Sequence, residues 1–218
     1  LMFVLGYILQ RGLINRVIGT DAGEEPSLLI TFGLSVILQN LMLLIFSANP
    51  QMLKVGYQTA SLKVTGSLSI PILYLFNFLL CIVIILALSL FLNRTYIGKS
   101  IRAVSDDNDA AALMGISVKQ TYGIAMGIAL ATAAISGILI GTTFSFYPTT
   151  GQDYLLIAFG VVVIGGMGSI PGTFVGGVIF GLARSLGTAL FGITYQMLAG
   201  YIILILMLII RPKGLFSK

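Results

Sequence analysis

The 218-residue sequence is 57% hydrophobic and only 9% charged, with a mean hydropathy of +1.05 and a formal charge of +5. Soluble domains carry about 25% charged residues, and a soluble core of this size has no room for so much apolar side chain, so the solvent for most of the chain is a bilayer. The absence of histidine excludes Ser-His-Asp and Cys-His catalysis and any imidazole metal site within the chain, and the lone Cys81 excludes an intrachain disulfide.

Taken in order, residues 1–9 (LMFVLGYIL) are too short to cross a bilayer, which needs about 20 residues. With no basic n-region and no initiator Met, they read as the end of a truncated helix rather than as a signal peptide. Residues 10–26 read as a polar loop carrying Arg11 and Arg16. Residues 27–47 are long enough to span, with Gln39 and Asn40 adjacent and deep in the run. Residues 48–69 read as a polar loop with a small hairpin outside the membrane.

Residues 70–92 are the cleanest span, and 93–120 are the longest polar interruption. Residues 121–143 form a span rich in small side chains, where Gly127, Ala131, Ala134 and Gly141 would admit a close helix neighbour. After a short loop, residues 154–190 are apolar but broken by GGMGSIPG, so two short helices are expected around that break. Residues 195–210 are the last span, and RPKGLFSK follows.

If 154–190 crosses twice, Arg11, Arg16, Arg94, Lys99, Arg102, Lys119, Arg211, Lys213 and Lys218 share one side, and only Lys54 and Lys63 take the other. The positive-inside rule then places the 100–117 stretch and the C-terminus in the cytoplasm. The net charge thus concerns orientation, and no nucleic-acid partner is expected.

Residues 100–117 read SIRAVSDDNDAAALMGIS. Ser105, Asp106 or Asp107 is placed to cap a short helix, whose dipole the acids complement. Residues Ala110 to Met114 are strong helix formers, and Gly115 is a natural stop. This is either a capped connector on the membrane surface or a platform for a partner. The loop is longer than two adjacent spans require, and Leu113 and Met114 are apolar side chains in want of a neighbour.

In GGMGSIPG, Gly165, Gly166, Gly168 and Gly172 free the backbone and Pro171 interrupts helical hydrogen bonding. The break is either a tight turn at the cytoplasmic face or non-helical backbone beside a transport route. Gln39 and Asn40 either bond neighbouring helices or line a route for a polar solute. Residues 98–100 (Gly-Lys-Ser) match the end of a P-loop, but Asn93 stands where that motif needs glycine. The chain therefore has no nucleotide site, and no bound cofactor or metal is expected.

The run IGKSIRAVSDDNDAAALMGISVKQTYGIAMGIALATAAISGILIG resembles the cytoplasmic loop and following span of permease subunits from prokaryotic branched-chain amino acid ABC importers. LLITFGLSVILQN at 28–40, VVIGGMGSIPGTFVGGVIFG at 162–181 and RPKGLF at 211–216 resemble the same family, and the first of these is similar to the first of its two paired permeases. Two departures stand out. Family members carry further N-terminal spans, which implies a partial subunit, and Arg184 lies where the family more often has an acid. Arg184 is either a functional charge within a span or a side chain snorkelling to the outer interface.

The resemblance implies an all-α polytopic membrane protein, a single permease domain over 1–218 with about six complete or near-complete spans besides the truncated one. It implies a coupling helix at 105–116, within the 93–120 loop, that docks into a separate ATP-binding cassette subunit through Arg102, Ser105, Asp106, Asp107, Asp109, Ala110, Ala111, Leu113, Met114 and Gly115. A second permease and an extracytoplasmic substrate-binding protein are the other implied partners, and leucine, isoleucine, valine or related compounds the implied cargo. Gln39, Asn40, Gly165, Gly166, Gly168 and Pro171 are the candidates for path or gate. The alternative is an ion-gradient-driven secondary transporter or channel, although that class usually carries acids inside its spans. An intramembrane protease would need the missing histidine.

Overall fold

The structure, a computed structural model, describes residues 1–17, 25–54, 56, 61–65, 68–211 and 214–216. Of these, residues 17, 25–28, 61–65 and 68–70 are described as backbone only. The chain divides into two compact units, Leu1–Pro148 and Thr149–Lys218. Among the described residues, five helical stretches are long and apolar enough to cross a membrane: Leu29–Phe46, Ile72–Arg94, Val118–Thr143, Ile170–Phe191 and Ile193–Ile210. Met2–Ile14 and Thr150–Gly165 are shorter apolar helices.

In the first unit, α1 (Met2–Leu9) does not give way to a loop at Gln10. It continues as a π-helical turn, Gln10–Ile14, and then as α2 (Asn15–Val17). The expectation of a polar loop over 10–26 is therefore corrected over 10–17, and residues 18–24 lie outside the described residues. The helix persists because its polar side chains have partners. Gln10 Nε2 donates to Asn15 Oδ1 at 3.2 Å, and Asn15 Nδ2 donates to Lys119 O at 3.2 Å.

Next comes α3 (Glu25–Phe46). Its apolar side chains Leu29, Phe32, Ile37, Leu44, Ile45 and Phe46 are all exposed. Strands β1 (Ser61–Thr65) and β2 (Leu68–Pro71) pair antiparallel, with Leu62 opposite Ile70. This is the small hairpin anticipated between the spans. It leads into α4 (Ile72–Arg94), then the short α5 (Tyr96–Asp106) and α6 (Asn108–Leu113), and the long α7 (Val118–Thr143).

Glycines set how closely α1 approaches α7. A Cβ at Gly6 would stand 2.7 Å from Met126 O, and one at Gly127 would stand 2.9 Å from Phe3 O and from its ring. A Cβ at Gly123 would meet the Tyr7 ring at 2.8 Å. Lipid tails are as apolar as leucine, so helices in a bilayer associate by such close approaches rather than by hiding apolar surface. Gly127 was legible in the sequence as a small contact residue, whereas Gly6 and Gly123 were not. At the opposite end of α7, Gln51 and Phe146 exchange both backbone hydrogen bonds at 2.8 Å, and Leu53 N donates to Gly141 O at 3.0 Å.

In the second unit, α8 (Thr150–Gly165) and α9 (Ile170–Phe191) form an antiparallel pair around the break, and α10 (Gln196–Ile210) packs against both after a 3₁₀ turn, Ile193–Tyr195. The expectation of two short helices is corrected at α9, whose 22 residues are long enough to cross. Phe180 of α9 is nearly inaccessible. It meets Tyr201 edge-on at 6.4 Å, and a Cβ at Gly200 would stand 2.7 Å from its ring.

Candidate functional site

The polar stretch between α4 and α7 folds as a two-helix elbow. Thr95 makes its first corner: Oγ1 donates to Phe91 O at 2.7 Å and accepts from Gly98 N at 3.0 Å, so one hydroxyl ends α4 and caps α5. Only glycine fits at 98, since a Cβ there would collide with the backbone of Leu92. Helix α5 then separates its faces. Gly98, Ser100 and Val104 are buried, while Lys99, Arg102, Ser105 and Asp106 are exposed.

The chain breaks at Asp107, whose φ of −156° and ψ of 112° are extended. Its Oδ1 accepts from Asp109 N at 2.9 Å and Ala110 N at 3.0 Å, the N-cap arrangement. The expected continuous helix over 105–116 is thus two helices. Ser105 and Asp106 close α5, and Asp107 alone caps α6. Two capping bonds and the dipole favour Asp107 outside the helix over continuing it.

Gly115 ends α6 with φ at +82°. Gly115 N donates to Ala112 O at 3.0 Å and Ile116 N to Ala111 O at 3.1 Å, the paired bonds of a Schellman stop. Ala111 is buried, and Tyr122 Oη donates to Asn108 Oδ1 at 2.8 Å, fastening α6 to α7. With both ends capped and one side anchored, Asp109, Ala110, Leu113 and Met114 are left exposed. Leu113 and Met114 stand out at 89% and 83% exposure.

The glycine break is a tight turn over 166–169. Gly166 and Gly168 have φ of 97° and 85°, which favour glycine. Ser169 Oγ accepts from Gly172 N at 3.1 Å to cap α9, with Pro171 in the first turn, where its missing N–H costs nothing. Gly165 and Gly172 touch backbone to backbone, and a Cβ at Gly176 would stand 2.6 Å from Val161 O. The segment after α10 completes the corner: Leu215 N donates to Ile164 O at 3.0 Å and Phe216 N to Gly165 O at 3.1 Å. It thereby satisfies carbonyls that the end of α8 leaves open. The sequence marked GGMGSIPG and RPKGLF separately and carried no sign that one closes the other.

Asn40 Nδ2 donates to Val36 O of its own helix at 2.8 Å. On that helix Gln39 is half-buried and Asn40 exposed. An interhelical amide does exist at a position the sequence reading missed. Asn77 of α4 donates from Nδ2 to Thr143 Oγ1 at 2.9 Å and to Leu139 O at 3.3 Å. A lone Asn in the cleanest apolar run was the available signal.

Arg184 lies within α9, its Cγ 3.2 Å from where a Cβ at Gly200 would be. Its Nε is buried without a hydrogen-bond acceptor among the described residues. Among those residues no cluster of three or more Cys, Asp or Glu side chains suited to a metal ion occurs.

A family model described as branched-chain amino acid transport system / permease component matches residues 1–210. The chain is 29% identical over 218 residues to the high-affinity branched-chain amino acid transport system permease protein BraD of Pseudomonas aeruginosa, covering 98% of this chain and 70% of that protein. It is 34% identical over 134 residues to the LivH permease of the corresponding Escherichia coli system, covering 61% of this chain and 44% of that protein. It is 30% identical over 140 residues to the ribose import permease protein RbsC of Escherichia coli, covering 60% and 43%. The matched region therefore spans less than half of the latter two relatives. No solved structure matches.

Proposed function

The chain belongs to the family of permease components of branched-chain amino acid transport systems, and from that membership we propose that it is the transmembrane subunit of an ATP-driven importer. Its family and its apolar helices make it a multi-pass membrane protein of transport. Branched-chain or related amino acids are the proposed cargo. ATP hydrolysis resides in partner ATP-binding cassette subunits, and the chain binds no cofactor of its own. A second permease completes the path, and an extracytoplasmic binding protein delivers substrate.

The shorter helices Met2–Ile14 and Thr150–Gly165 accompany the five long ones in this reading, giving about six spans beside the first. Charge asymmetry sets the elbow and the C-terminus on the cytoplasmic face. Gln39, Asn40 and the corner of Gly165, Gly166, Gly168 and Pro171 remain the proposed elements near the route.

One observation carries the coupling role: Leu113 and Met114 are exposed on a helix that is capped at both ends and anchored through Ala111 and Tyr122. A rigid mount with two apolar side chains at its polar end suits a cleft on a soluble motor. Motor closure would then move α6, and through the Tyr122–Asn108 bond α7, as one body. Arg102, Ser105, Asp106 and Asp109 form the polar rim of that contact, around Ala110 and Gly115, while the buried Ala111 belongs to the anchor instead of the contact.

The test is Leu113→Asp with Met114→Asp, in proteoliposomes holding the ATP-binding subunits and the binding protein. Each buried side chain is worth about 1.5–3 kcal/mol, so association with the ATPase should weaken about 100-fold or more, and ATP-driven leucine uptake should stop. Unchanged uptake with unchanged co-purification would sink the docking role. Uptake that runs on an ion gradient alone would favour a secondary transporter instead. Against that alternative, the described acids Asp106, Asp107, Asp109 and Asp153 are all exposed, on the elbow or in the first turn of α8.

A further inference from the structure

We propose that the junction of α1 with α7 is a binding site for a phosphate ester, supplied by the headgroup of an anionic phospholipid. A cleft of about 380 Å³ opens there, lined by Arg11 and Arg16 from the α1 side and by Lys119, Ser117 and Gln120 from the start of α7. Three cations face one cleft, and no carboxylate among the described residues pairs with any of them.

A hydrogen-bond relay runs beside the cleft. Gln10, which is buried, donates from Nε2 to Asn15 Oδ1, and Asn15 donates from Nδ2 to Lys119 O. This relay ties the end of α1 to the first turn of α7 and fixes the spacing between Arg11, Arg16 and Lys119. Tyr7 is held against Gly123, and its hydroxyl accepts from Arg11 Nη1 at 3.4 Å.

The helix end adds to the charge. Helix α7 is 26 residues long, its N-cap Ser117 makes no side-chain cap bond, and its first turn holds no acid. Ser117, Lys119 and Gln120 of that first turn line the cleft, so the positive dipole end of α7 adjoins the three cations.

Apolar exposure distinguishes a lipid from a free phosphate. Val4 and Ile8, both exposed, lie on the turns of α1 leading to Arg11, and Leu13 is exposed beside it. The charged cleft sits at the end of an apolar helical surface, as a headgroup sits at the end of its acyl chains. Basic pockets between helices at the cytoplasmic face take anionic headgroups in this way. The inference does not rest on the transport reading.

The experiment is native mass spectrometry of the full chain released from nanodiscs of phosphatidylcholine doped with phosphatidylglycerol. The wild type should retain phosphatidylglycerol and not phosphatidylcholine. Arg11→Gln, Arg16→Gln and Lys119→Gln together leave the Gln10–Asn15 relay intact. They should cut retention about 100-fold, roughly fivefold for each cation. Arg11→Lys with Arg16→Lys should retain the lipid, as should Lys54→Gln, which lies toward the other end of α7. Retention that survives the triple neutralisation overturns the site. Equal loss with Lys54→Gln shows a diffuse charge effect and also overturns it. Displacement of the lipid by millimolar inorganic phosphate would reassign the cleft to a free anion, against the lipid headgroup proposed here.

Discussion

Asn77 Nδ2 donates to Thr143 Oγ1 at 2.9 Å, joining α4 to the last turn of α7 across 66 positions of sequence. The same amide is within reach of Leu139 O and of Thr142 Oγ1, so it always finds an acceptor on α7. Helix-to-helix hydrogen bonds in a membrane average about 0.6 kcal/mol and reach about 1.7. Asn77→Leu should lower unfolding stability in detergent by that amount. Thr143→Val should cost less, because Leu139 O remains. A double-mutant cycle measures the coupling, and a zero coupling energy would show that the two side chains do not interact.

The glycine corner makes a sharper prediction because its contacts are backbone to backbone. Gly165→Ala drives a methyl into Gly172, which neither helix can yield without separating. Gly137→Ala, in the same protein, adds a methyl to open space and replaces a helix breaker by the best helix former. Gly165→Ala should abolish assembly of the Thr149–Lys218 unit, while Gly137→Ala should be neutral or stabilising by up to about 1 kcal/mol. Protease resistance of the purified variants in detergent reads both.

At Asp107, capping and docking can be separated by chemistry. Asparagine caps as well as aspartate does, and alanine does not. Asp107→Ala should loosen α6 by about 1 kcal/mol, seen as faster hydrogen exchange over residues 108–115. Asp107→Asn should keep that protection and keep ATP-driven uptake. Loss of uptake in Asp107→Asn with protection intact would mean that the charge itself meets the motor.

Arg184 holds a buried Nε with no acceptor among the described residues, and an unsatisfied donor costs about 1–3 kcal/mol. A side chain kept at such a cost is a candidate for work in transport. Arg184→Met should raise the thermal midpoint of the purified protein and lower uptake by the proposed importer. A stabilised variant with full uptake would make Arg184 a tolerated surface charge.

Much of this chain is legible without coordinates, because the partition of side chains between lipid and water is a local property. Run length identifies the spans, since a bilayer of about 30 Å demands about 20 apolar residues. Asp107 as one of three cap candidates, Gly115 as a stop and GGMGSIPG as a break follow from backbone preferences of single residues. Pattern and motif together also reach the family.

Only the tertiary structure decides the rest. Gln10–Val17 is helical although its composition resembles a loop, because Asn15 finds Lys119 O, a partner 104 positions away. The elbow is two helices rather than one because Asp107, not Ser105, takes the cap, a choice between near-equal candidates. Asn77 selects Thr143, Gly6 selects Met126, and the 214–216 segment closes the end of α8. Composition assigns each side chain to lipid or to water. It carries no term for which distant carbonyl, hydroxyl or bare Cα will stand opposite, and in a bilayer those contacts are what hold helices together.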